Sequence, residues 1–207
     1  MSNPEKEQWY NWYKNIVLYF EYRGETLPNV LSKEAFVKEM INGNLINIKT
    51  KKIHVILTVP KQKFSSLNTD MKKKINEILL ADSAKEIMYV CDIMLVGEKG
   101  VTYNQTIKKL VDEFKATNDK VWVQIRPYSL FINNIPKCLE VVKHRKLDQD
   151  AIKKELELTH TPLASLIRTK EWDPPVSWLG AKVGEIIAVE RLSGSVGTQT
   201  VLKRVIM

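Results

Sequence analysis

Cysteine is almost absent: the 207 residues include two, Cys91 and Cys138, far apart and in no CxxC pair. That scarcity excludes a disulfide framework and makes a reducing compartment the expected setting. Histidine is equally sparse, with His54, His144 and His160 scattered along the chain. Together with two cysteines they show no zinc-site spacing, so no metal site is expected. A cysteine nucleophile needs a neighbouring base to lower its pKa. Cys91, at the end of an expected buried strand, and Cys138, in a connector, read instead as packing residues. Apolar runs are short too: "IVLYF" at Ile16–Phe20 and "IHVILTV" at Ile53–Val59 fall far below the roughly 20 residues that span a membrane. Glu5 and Glu7 sit among polar neighbours, so the first twenty residues do not read as a secretory signal. GxSxG and GxxxxGKS/T motifs are missing, and "GEKG" at Gly97–Gly100 is a loop rather than a phosphate cradle. No cofactor and no membrane partner are expected.

What is present is an ordinary globular composition, 44% hydrophobic and 27% charged, with a net charge of +8. The basic surplus is spread out. Residues 1–140 carry 21 Lys+Arg against 16 Asp+Glu, and residues 141–207 carry 11 against 8. Neither part is a polybasic tail. The charge suits nucleic acid or another acidic partner, and it equally suits a surface tuned for solubility.

Pro4 begins an expected helix whose Trp9, Trp12, Tyr13, Ile16, Val17, Tyr19 and Phe20 form an aromatic stripe that Gly24 ends. Ser32 caps a second, short helix in "KEAFVKEM". A buried strand at Ile53–Val59 is followed by helix (about 70–83), strand (Glu86–Cys91), helix (about 102–116) and strand (about 120–125). This alternation predicts an α/β domain, a parallel or mixed sheet covered by helices. After Pro127 the pattern changes to a connector that returns to strand. Asp148 then precedes an amphipathic helix in "QDAIKKELEL". Leu163–Ile167 reads as a further turn of helix. Asp173 is placed to cap a helix with Pro174 in its first turn, and Gly180 stops it. "GEIIAVERL" and "QTVLKRVI" read as two strands joined through "SGSVG". The expected division is a domain of residues 1–140 and a small α+β domain of residues 141–207.

A basic α/β domain raises phosphodiester hydrolysis, which needs carboxylates gathered at strand ends to hold Mg²⁺. Asp92 is the single well-placed one, and the next strand offers Val123-Gln124-Ile125-Arg126 where such an enzyme wants an acid and a lysine. A metal-dependent nuclease is therefore the minor alternative, beside a stand-alone nucleic-acid-binding protein. Binding fits better. "GEKGVTYNQTIKK" at Gly97–Lys109 joins a strand end to a helix start, where free N–H groups and the helix dipole favour phosphate. Thr102 or Asn104 would cap that helix, with Lys99, Lys108 and Lys109 adding charge nearby. A capped helix with a solvated lysine face is the bland account of the same stretch. "MKKK" at Met71–Lys74 has the same two readings.

The last third of the chain carries an ordered series of motifs: "VVKHRKLD", "TPLASLI", "DPPVSWLGAKVGEIIAVERLSGSVG" and "VLKRVI". The series resembles the assembly domain of the fifth subunit of eukaryotic RNA polymerase II, which is also the whole H subunit of archaeal RNA polymerase. "IRPYSLFINNIPK" and "DPPVSWLG" look most like the versions of large nucleocytoplasmic DNA viruses. The first two-thirds resemble the family's jaw domain more loosely, through the aromatic helix ending in "YRG" and the "IMYVCD" strand. The resemblance implies a nuclease-like jaw without nuclease activity and no catalytic residues of its own. It implies docking on the largest polymerase subunit through Lys143, His144, Asp173, Pro174, Trp178, Leu179, Gly180, Arg191, Ser193 and Gly197. It further implies contact with the other polymerase subunits, and a jaw flanking downstream duplex DNA near Thr102–Lys109, a stretch that includes Gln105. The family's closing loop usually reads Arg-x-Ser-Glu-Thr-x-Gly, whereas Arg191–Gly197 lacks the Glu and the Thr. A viral chain would work in the host cytoplasm and virion, a cellular one in the nucleus.

Overall fold

Apolar side chains at Trp9, Tyr13, Ile16, Val17 and Phe20 recur every three to four residues and are all buried along one side of helix α1 (Asn3–Tyr22). In the computed structural model, which describes residues 2–50, 52–59, 64–81, 85–91, 103–117, 120–138, 143–193 and 197–206, Glu5 in the first turn of α1 reaches back to the residue before the helix. The Ser2 N–H donates to Glu5 Oε2 at 2.9 Å. Helix α2 (Lys33–Ile41) starts as expected at Ser32, whose Oγ accepts from the Ala35 N–H at 3.3 Å. The described residues form two compact units. Tyr22–Gly24 join the chain from Asn133 onward in one, and the remainder up to Ile132 makes the other. The expected division at residue 140 falls outside the described residues.

The first unit holds strands β1 (Ile46–Lys49), β2 (Ile53–Leu57), β3 (Glu86–Cys91) and β4 (Trp122–Pro127) in the order β1-β2-β3-β4. β2, β3 and β4 are parallel, and β1 runs antiparallel along β2. The strand–helix alternation is therefore realised as a mixed sheet. The sequence announces no strand before Ile53, since β1 is only four residues long, with alternate burial. Helices α3 (Phe64–Ala81) and α4 (Tyr103–Thr117) supply the crossovers. Ile56, Ile87, Tyr89, Val123 and Ile125 share one sheet face, against which α3 and α4 pack Met71, Ile75, Ile78, Leu110 and Phe114. Every residue of β2 and β3 is buried, as a sheet covered on both faces requires.

The second unit holds β5 (His144–Lys146), β6 (Ile167–Lys170), β7 (Ile186–Ser193) and β8 (Gly197–Ile206), ordered β5-β7-β8-β6. β7 and β8 form the expected hairpin, with Ser193 opposite Gly197 at its end. Helix α5 (Gln149–Thr159) begins where Asp148 Oδ1 accepts from the Ala151 N–H at 2.8 Å. Leu147, Ile152 and Leu156 pack on one sheet face with Leu166, Ile186, Ala188 and Leu202. The short helix α6 (Pro174–Trp178) covers the other face, with Val176 and Ala181 against Ile187, Val189 and Val205.

One expectation holds only over its first three residues. The helical turn read over Leu163–Ile167 is a 3-10 turn that ends at Ser165, and Ile167 opens strand β6, parallel to β8. The alternation Ile-Arg-Thr-Lys is strand-like, but four residues are too few to outweigh the turn signal of Pro162.

Candidate functional site

The corner "EWDPPVSWLG" is built by its prolines. Pro174 and Pro175 occupy the first two positions of α6 and have no N–H, so two of the four orphan donors of a helix start do not exist. The expected side-chain cap from Asp173 is accordingly absent. Its carboxylate instead accepts from Thr169 Oγ1 at 3.1 Å, tying the corner to β6, while the Asp173 carbonyl accepts from the Ser177 N–H at 2.8 Å. Ser177 Oγ donates to the Glu171 carbonyl at 2.8 Å. Gly180 follows the helix at φ +61, the left-handed conformation that favours glycine. A Cβ there would meet Arg23 Nη2 at 2.4 Å, so the absence of a side chain also makes room for the guanidinium.

Trp178, expected as a docking residue, is only 1% exposed, and its ring meets Tyr22 edge-on at 6.4 Å. It is therefore a core residue of the second unit. Trp172 is half-buried, with Lys170 Nζ 5.7 Å from its ring centroid. Beside Trp178 lies a cavity of about 380 Å³ lined by Tyr22, Ile135, Pro136, Lys143, His144 and Pro175. Burial pushes the Tyr22 hydroxyl above its ordinary pKa. The structure thus brings Lys143, His144 and Trp178 together. Pro174 is exposed and Leu179 half-buried at the same corner.

Arg191, Ser193 and Gly197 lie elsewhere, at the far end of the β7–β8 hairpin, with Arg191 opposite Gln199. Ion pairs border the sheet: Lys143 Nζ is 3.9 Å from Glu190 Oε1, Arg145 Nη2 is 3.2 Å from Glu155 Oε1, and Lys146 Nζ is 2.9 Å from Glu185 Oε2. Each is exposed on at least one side and contributes about 0–1 kcal/mol.

In the first unit, α4 starts at Tyr103, which puts Asn104 and Gln105 in its first turn and Lys108 in its second. Lys109 is exposed. Lys99, Thr102 and the carboxylate Asp92 lie outside the described residues. Two of the "MKKK" lysines are held by acids: Lys72 Nζ is 2.6 Å from Glu113 Oε2, and Lys74 Nζ is 3.2 Å from Glu77 Oε2. Among the described residues no group of three or more His, Cys, Asp or Glu is placed to hold a metal, and no helix is long and apolar enough to cross a membrane.

Two features were not foreseen. On β3 and β4 a buried polar chain runs from Arg126 Nε to Gln124 Oε1 at 3.1 Å, and from Gln124 Nε2 to Glu86 Oε1 at 2.7 Å. Val123-Gln124-Ile125-Arg126 thus uses its polar residues to satisfy one another inside the sheet. On β6, Arg168 stands beside Arg204 of β8, a neighbourhood that the turn-like stretch before Ile167 does not announce.

Comparison with known proteins adds weight. No family model matches the chain. It is 27% identical over 184 residues to the "DNA-directed RNA polymerase RPB5 homolog" of African swine fever virus isolate Warthog/Namibia/Wart80/1980, covering 86% of this chain and 87% of that protein. The homologs of strain Badajoz 1971 and isolate Tick/Malawi/Lil 20-1/1983 align to the same extent and identity. Over most of its length, therefore, the chain is similar to viral relatives of the fifth RNA polymerase subunit, the family that its C-terminal motifs resemble.

Proposed function

We propose that the chain is a non-catalytic subunit of a viral multisubunit DNA-directed RNA polymerase. The observation that carries this reading is the similarity to polymerase subunit homologs across both compact units, rather than over the C-terminal motifs alone. The C-terminal unit docks on the largest subunit, with the proline-rich corner as its rigid element. Such preorganisation lowers the entropy cost of joining a larger assembly. The N-terminal unit flanks downstream duplex DNA near the start of α4, where backbone N–H groups and lysines would make phosphate contacts without reading sequence. Nucleotide addition and its Mg²⁺ belong to the large subunits, and the work is done in the host cytoplasm or the virion.

The test is to recover the tagged chain from its native source and weigh what accompanies it. Stoichiometric large polymerase subunits are expected, together with feeble duplex binding by the chain alone. Recovery without those subunits would sink the proposal. Mg²⁺-dependent DNA cleavage by the purified chain, lost in Asp92→Ala, would establish a nuclease in its place.

A further inference from the structure

Within the second unit, α5 and the start of β7 border a groove of about 650 Å³. Its floor is apolar, from Ile152, Leu156 and Ile186, and its rim carries Leu163 and Val183, which are 50% and 46% exposed. Large apolar groups at such exposure beside a groove leave favourable burial unused.

Charge around the groove is lopsided in a specific way. Its two carboxylates are already engaged: Asp148 caps α5, and Glu185 accepts from the Lys182 N–H at 2.7 Å and pairs with Lys146. Its cations are not. Arg204 lines the groove, and its register partner Arg168 sits beside it on β6, pointing to the same sheet face as Ile186. Both arginines are exposed, and among the described residues neither is paired with an acid. Like charges side by side on adjacent strands destabilise a sheet. An arginine pair with no internal acid, next to an unfilled apolar groove, fits a ligand bearing both carboxylates and apolar side chains.

We infer that this groove is a docking site for a carboxylate-bearing, apolar segment of another polymerase subunit, clamped by Arg168 and Arg204. The inference rests on the subunit reading above and adds the place and chemistry of one contact. Arginine forks match carboxylates with two parallel hydrogen bonds, and Leu163 and Val183 would close over the segment's apolar side chains. Nucleic acid is a poorer fit. The groove offers no aromatic platform for a base, and its apolar floor and rim give a sugar-phosphate backbone nothing to bury.

The experiment uses the full chain co-expressed with the large polymerase subunits of its own source. In one arm, Val183→benzoylphenylalanine is photo-crosslinked and the attached peptide sequenced. In the other, the retention of Arg168→Glu/Arg204→Glu is compared with wild type. The crosslink should fall on one segment of a polymerase subunit in which Asp or Glu neighbours apolar residues. The double variant should lose more than about tenfold in retention while melting like wild type. Reversing the acids of the crosslinked segment to lysine should restore it. Wild-type retention by the double variant, or a crosslink to DNA or to a second copy of this chain, would overturn the groove assignment and leave the subunit reading standing. Failure of the wild-type chain itself to join the large subunits would overturn both.

Discussion

The two sheets have four strands each, yet they are finished to different degrees. In the first unit β2 and β3 are buried on both faces, and even the polar residues Glu86, Gln124 and Arg126 are hydrogen-bonded to one another inside. The second unit covers one face of its sheet with the five-residue helix α6 and the other with α5, and its strand β6 leaves Ile167 55% exposed, whereas exposed apolar residues of the first unit such as Ile41 and Leu80 lie on helices rather than strands. Small units bury a smaller fraction of their surface, so stability must come from elsewhere. A closed sheet needs only its own helices. The other sheet keeps an arginine pair without an acid partner among the described residues, and the proposed docking groove uses that pair.

The largest test of that contrast pairs two buried rings. Trp178→Ala and Phe20→Ala should each cost about 3–5 kcal/mol in urea denaturation, since both side chains are fully buried. Their effects on assembly should differ. Trp178→Ala should also abolish retention by the large polymerase subunits, whereas Phe20→Ala should leave retention intact at temperatures where the protein is folded. Equal losses of retention would erase the distinction between the units.

A smaller effect tests the closed sheet. Gln124→Leu removes the amide that bridges Glu86 and Arg126, and should cost about 1–3 kcal/mol with no change in retention. Smaller again is Gly180→Ala. Its positive φ opposes a side chain, and the Arg23 guanidinium must give way, for about 1–2 kcal/mol by thermal melting. A variant as stable as wild type would show that the corner tolerates movement of Arg23.

Elements announced by strong local signals were legible in the sequence. The aromatic stripe of α1, the Ser32 cap, the acidic start of α5 and the strand pair flanking "SGSVG" all depend on neighbours within a few residues, and the described residues keep them. β1 and β6 were not legible, because a four-residue strand is defined by what it pairs with. β6 finds its partner more than 30 residues away, and the Arg168–Arg204 neighbourhood exists only through that pairing. The residues expected to dock divide the same way. Lys143, His144 and Trp178 line one cavity, a grouping of residues more than 30 positions apart that no local pattern announces.

Asp173 and Asp148 make the finest comparison, because both look like helix caps and only one caps. Asp148→Ala removes a bond to a backbone N–H and should cost about 1 kcal/mol by thermal melting. Asp173 faces a first turn made of prolines, so its carboxylate acts on Thr169 instead. Asp173→Ala and Thr169→Val should therefore each cost about 0.5–1.5 kcal/mol and, combined, cost little more than either alone. Strict additivity would mean that the Thr169 bond carries nothing, and that Asp173 acts through the helix start after all. A coupling of that size would show the corner anchored to β6, so that movement of α6 and movement of the open sheet edge are resisted by the same bond.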